Sequence, residues 1–134
     1  MIPEILTLPD RTLAYQRLIG DPQKPSVVFL GGYASDMNGA KASFLAERCA
    51  TEKISFLRFD YRGNGQSSGD FKICTLGDWF ADTCAMIDQL TKGPQIIIGS
   101  SMGGWLALLL AKARPERIKA IIGVAAAPDF TEDL

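Results

Sequence analysis

The amino-acid sequence predicts a doubly wound α/β domain whose sheet is mostly parallel, with an antiparallel hairpin at its N-terminal end. Two observations carry this expectation. Short, near-continuous apolar runs rich in Val and Ile alternate with longer segments whose apolar residues recur at helical spacing. Such alternation marks a parallel sheet covered by helices on both faces. The 134 residues, 47% hydrophobic and 22% charged, suffice for one core that buries roughly two-thirds of the unfolded surface. They are too few for two domains, so residues 1–134 are read as part of one unit.

The elements follow in order. Glu4–Leu8 and Thr12–Leu18 flank Pro9-Asp10 and read as two strands joined by a turn. Ser26–Leu30 (SVVFL) is a buried strand closed by Gly31-Gly32. Asp36–Lys53 is a weaker helix with Phe44, Leu45 and Cys49 inward. Ile54–Tyr61 (ISFLRFDY) is the next strand and stops at Arg62-Gly63. In Thr75–Thr91, Leu76, Trp79, Phe80, Met86, Ile87 and Leu90 share one helical face. Thr75 and Asp78 resemble a capping box with the shorter acid. The Trp79-Phe80 stripe is read as core packing. Gln95–Gly99 (QIIIG) is a strand, and Met102–Arg114 is apolar almost all round, which predicts a central buried helix ended by Pro115. Ile118–Ala126 completes the sheet.

Charge narrows the function classes. Lys plus Arg number 14 against 15 Asp plus Glu, a net charge of −1. Nucleic-acid and membrane-surface binders need a basic excess, so neither partner is expected. The sequence has no histidine, which removes imidazole as base or metal ligand within these residues. Cys49, Cys74 and Cys84 are odd in number and form no C-x-x-C pair. They are read as small buried hydrophobes in a reducing compartment, without a zinc site or disulfide framework. No metal or cofactor is expected. The N-terminus lacks the basic start and apolar run of a signal peptide. The longest strongly apolar stretch, Trp105–Ala111, falls well short of the ~20 residues that span a bilayer. The expected location is cytoplasmic.

The chemistry gathers on three loops. Gln95–Gly99 runs into Gly99-Ser100-Ser101-Met102-Gly103-Gly104 and then a helix. This is G-x-S-x-G in the strand–turn–helix context that its mechanics require. Ser101 is lifted clear of the sheet on a strained turn, and the elbow glycines Gly99 and Gly103 keep strand and helix from colliding. The amide of Met102 opens the helix and points toward a developing anion. Counting from Ser100 instead loses the downstream glycine. Leu30-Gly31-Gly32-Tyr33 ends the first buried strand, where a second oxyanion amide is needed. Tyr33 is the expected donor, with Gly32 as the alternative. Asp60-Tyr61-Arg62-Gly63-Asn64-Gly65 fails as a dinucleotide fingerprint, because Ser68-Gly69-Asp70 prolongs the loop before any helix. It is read as a turn in which Asp60 and Arg62 satisfy loop amides and carbonyls.

The order of these pieces resembles the α/β-hydrolase superfamily. GGYASDMNGAKA, RFDYRGNGQSSGDF and GPQIIIGSSMGGW are similar to the mycophenolic acid acyl-glucuronide esterase branch, also described as mitochondrial palmitoyl-protein thioesterase, and its bacterial relatives. The resemblance covers the chain but only the N-terminal part of such a fold, truncated after about the sixth strand. It implies a serine hydrolase acting on small acyl esters or thioesters, with Ser101 as nucleophile and Met102 and Tyr33 as oxyanion donors. In the superfamily an acid and a histidine follow later strands, beyond the stretch covered here. Asp129 is the one acid near a suitable position. Two consequences are expected: a C-terminal complementing segment would supply the missing base, and the open sheet edge would favour self-association. The competing reading is a non-catalytic truncated or split-gene remnant that needs a partner segment.

Overall fold

A computed structural model describes residues 2–126. Six strands form one sheet: β1 (Glu4–Thr7), β2 (Thr12–Leu18), β3 (Val27–Leu30), β4 (Phe56–Phe59), β5 (Gln95–Ser100) and β6 (Ile118–Val124). Their order is β1-β2-β4-β3-β5-β6. β1 pairs antiparallel with β2, and β2 antiparallel with β4, while β4, β3, β5 and β6 run parallel. The hairpin and the parallel remainder are those expected. Three helices cover the sheet: α1 (Ala40–Glu52), α2 (Leu76–Leu90) and α3 (Met102–Ala113).

Alternation along each strand builds two cores. Val28, Leu30, Leu57, Phe59 and Ile97 face α2 and α3, meeting Met86, Ile87, Leu106 and Leu110. Val27, Phe29, Phe56 and Ile98 face α1, meeting Ala42 and Cys49. Leu106, Leu110, Met86 and Ile87 are fully buried, each worth roughly 1.5–3 kcal/mol of transfer free energy. The predicted capping box is present: Thr75 Oγ1 accepts from Asp78 N–H at 3.1 Å, and Asp78 Oδ2 accepts from Thr75 N–H at 2.9 Å.

Several expectations need correction. α1 starts at Ala40, because residues 36–39 form a turn in which Asp36 accepts from the amides of Asn38 and Gly39. Phe44 points outward and is 63% exposed, whereas Leu45 and Cys49 do pack inward. The inward stripe of α1 is Ala42, Leu45, Ala46 and Cys49, narrower than the sequence implied. β6 is not buried on both faces: Ile122 is half exposed, and among the described residues nothing pairs with its outer edge. Cys49 is buried, but Cys74 and Cys84 are only half-buried, and all three are free thiols. No helix of the described residues is long and apolar enough to cross a membrane.

Candidate active site

β5 ends at Ser100 and α3 begins at Met102, so a single residue makes the turn. Ser101 has φ 55° and ψ −119°, a left-handed backbone that costs a side-chain-bearing residue on the order of 1–3 kcal/mol. Its main chain is held on both sides: Ser101 N–H donates to Val124 O at 3.0 Å, and Ser101 O accepts from Gly104 N–H at 2.9 Å. Ser101 is exposed, whereas the neighbouring Ser100 lies buried in β5 opposite Val124. The glycines explain the sharpness. A Cβ on Gly99 would strike the backbone of Gly103, and one on Gly103 would strike the carbonyl of Leu30. α3 therefore starts closer to the sheet than any side chain would permit. Met102 is the first helical residue, so its N–H has no acceptor within the helix and sits at the positive end of the dipole.

The loop after β3 reaches the same point. Leu30 pairs with Gly99 across the parallel ladder, so two residues further on Gly32 stands beside Ser101. A Cβ on Gly32 would lie 3.5 Å from Ser101 Cβ. β3 and β5 are also where the chain switches from the α1 face to the α2–α3 face, and ligands of doubly wound sheets sit outside the strand ends at such a switch. Tyr61 O–H donates to Gly31 O at 2.9 Å, and burial raises the Tyr61 hydroxyl so far that it stays protonated. Tyr33 presents its ring edge-on to Phe71 at 5.3 Å and to Trp79 at 5.8 Å. Trp79 is thus core, as expected, and also the backing of an aromatic group beside the loop.

Asp60 behaves as expected: its carboxylate accepts from loop amides, Gln66 N–H at 3.0 Å and Met37 N–H at 2.7 Å. Burial pushes its carboxyl above the usual aspartate value. Arg62 departs from expectation. It pairs with carboxylates, chiefly the fully buried Asp82 at 2.9 Å, rather than with loop carbonyls. A buried carboxylate already flanked by Arg11 needs that second cation more than a carbonyl does. Sequence reasoning missed Arg58 and Tyr61. A charge within the otherwise apolar β4 was the available signal for Arg58. Burial raises all three cysteine thiols, so none offers a ready thiolate beside Ser101.

Of the predicted site residues, Ser101, Met102, Gly99, Gly103 and the Gly32-Tyr33 loop converge at the carboxyl ends of β3 and β5. Asp129 lies outside the described residues. Among the described residues no cluster of Cys, Asp or Glu could hold a metal ion. A separate cleft of about 570 Å³, lined by Arg17, Ile19, Phe56, Leu90 and Lys92, opens at the other end of the strands.

The family profile described as serine aminopeptidase, S33 matches residues 21–133. The mitochondrial palmitoyl-protein thioesterase ABHD10 of Rattus norvegicus is 47% identical over 118 residues, covering 88% of this chain and 39% of that protein. The chain therefore spans about two fifths of the length of that relative. The solved structure of mouse alpha/beta hydrolase domain-containing protein 10 superposes with a TM-score of 0.89 at 43% identity, covering 94% of this chain and 50% of that one. A hydrolase structure from Agrobacterium vitis S4 does so with a TM-score of 0.89 at 32% identity, covering 98% and 54%. The elbow, the sheet order and these matches converge: the chain belongs to the serine aminopeptidase S33 family of α/β hydrolases.

Proposed function

We propose that these residues form the nucleophile-bearing part of a serine hydrolase acting on small acyl esters or thioesters. The observation that carries the reading is Ser101 itself, exposed at φ 55° on a one-residue turn with Gly32 against it. Ser101 Oγ attacks the acyl carbonyl, and the amides of Met102 and Tyr33 (or Gly32) hold the oxyanion. The alcohol or thiol leaves, and water then releases the acid from the acyl-enzyme. A serine hydroxyl needs a neighbouring base. The 134 residues contain no histidine, so the base is assigned to a segment beyond them that completes the site. The acyl substrate class is supported by the relatives named thioesterase. The proposed compartment is reducing, cytoplasmic as first expected, on the three free thiols; the rat relative is named mitochondrial.

The test is covalent labelling of the intact protein by a fluorophosphonate, with the modified peptide mapped. The expected result is one adduct at Ser101, lost in Ser101→Ala and kept in Ser100→Ala. Turnover of Ser101→Ala should fall by about 10⁴-fold or more. Labelling that depends on Ser100, or turnover that survives Ser101→Ala, would overturn the assignment.

A further inference from the structure

Arg58 and Asp60 lie two residues apart on β4 and its exit, on the face that packs α1, and both reach the backbone of Met37. Asp60 Oδ1 accepts from Met37 N–H at 2.7 Å, and Arg58 Nη1 donates to Met37 O at 3.0 Å and to Ser43 Oγ at 3.3 Å. Both side chains are buried, Asp60 at 2% and Arg58 at 9% exposure, and Met37 is buried with them. Among the described residues neither joins an ion pair. Two buried charges without a countercharge are costly, and here both converge on one residue's main chain, while Asp60 also holds the amide of Gln66 and Arg58 the hydroxyl of Ser43.

The grip lies at one end of a short span. Tyr61 O–H holds Gly31 O at its other end. Residues 32–36 hang between these anchors, and within them Ala34 adopts φ 56°. A left-handed alanine persists only where the surroundings over-determine it. That span contains both candidate oxyanion amides, Gly32 and Tyr33. A donor aimed at an oxyanion works only when its position is fixed beforehand.

Resting on the proposed serine mechanism, we infer that Asp60 and Arg58 are positioning residues for the oxyanion loop, clamping it through Met37. Asp60→Ala removes both carboxylate acceptors, and with them the tie to Met37 N–H. Arg58→Lys shortens the reach and cannot serve Met37 O and Ser43 together.

The experiment uses the intact protein and an activated acyl ester, with kcat normalised to the fraction of Ser101 that a fluorophosphonate titrates. Both variants should lose about tenfold or more in kcat per titrated site, somewhat less than the ~10²–10³ lost when an oxyanion donor is deleted. KM should stay within about twofold, because this class of change removes transition-state rather than ground-state binding. An unchanged kcat per site, with only fewer titratable sites, would mean a merely structural role and would overturn the clamp. Ser101→Ala run in parallel separates the two ideas: if it retains turnover, the serine mechanism has failed rather than the clamp. Should both variants unfold, hydrogen exchange on the unaltered protein decides. The Met37 amide is expected to exchange as slowly as the amides of β4, and exchange as fast as an open loop would sink the proposal.

Discussion

At Gly103 one added carbon meets the carbonyl oxygen of Leu30, which is backbone and cannot swing away. Gly103→Ala should therefore destabilise the protein by roughly 1–3 kcal/mol or more, read as a lowered melting temperature. Gly32 gives the opposite separation. Its added carbon would only touch Ser101 at ordinary contact distance, so Gly32→Ala should leave stability within about 0.5 kcal/mol. It would nonetheless slow fluorophosphonate labelling, because the new methyl group occupies the approach to the hydroxyl. A normal labelling rate in Gly32→Ala would place the reacting face of Ser101 elsewhere. Asp60 makes a pH prediction at the same scale. Burial raises its folded pKa above 3.8, so folding favours the protonated form. Its contribution is largest below 3.8 and declines as pH rises through the window up to the folded value. The stability difference between the wild type and Asp60→Asn should shrink across that window; a difference that grows with pH would contradict the sign.

Among the elements, α2 and α1 start by different means. α2 opens on a reciprocal box between Thr75 and Asp78, while α1 opens on Gly39 with no side-chain cap. Thr75→Ala should cost about 1 kcal/mol in chemical denaturation, and no measurable loss would mean that packing of Trp79 and Met86 alone sets that end. The box was legible in the sequence because both partners lie three residues apart in one chain segment. The outward turn of Phe44 was not, because helical spacing fixes which residues share a face but not how wide a strip the sheet covers. Arg62 shows the same limit. Its charge was evident, but its partner Asp82 is twenty residues away and meets it only once α2 docks.

For the molecule as a whole, the sheet's last described strand decides behaviour in isolation. β6 offers an unpaired edge among the described residues, with Ile122 about half exposed. A polypeptide of these 134 residues alone should self-associate through that edge. A single monomeric boundary in sedimentation, together with cooperative melting, would refute this. The same polypeptide should show no burst with an activated ester, since carboxylates are far weaker bases than imidazole at neutral pH. A stoichiometric burst would reveal a base within these residues.

What the sequence determined by itself is whatever depends on near neighbours along the chain. The strand–elbow–helix around Ser101, the Gly31-Gly32 loop end, the N-terminal hairpin and the cap of α2 each rest on spacings of a few residues. Local sterics and hydrogen bonding fix these wherever the segment lies. Tertiary structure alone decided what meets across the sheet. Parallel register brought Gly32 against Ser101, strand order set β6 at an edge, and the pleat of β4 turned Arg58 and Asp60 onto Met37, twenty-odd residues earlier in the chain. Such contacts depend on how strands pair and which face each side chain takes. A slip of β4 by one residue would turn Arg58 and Asp60 to the opposite face.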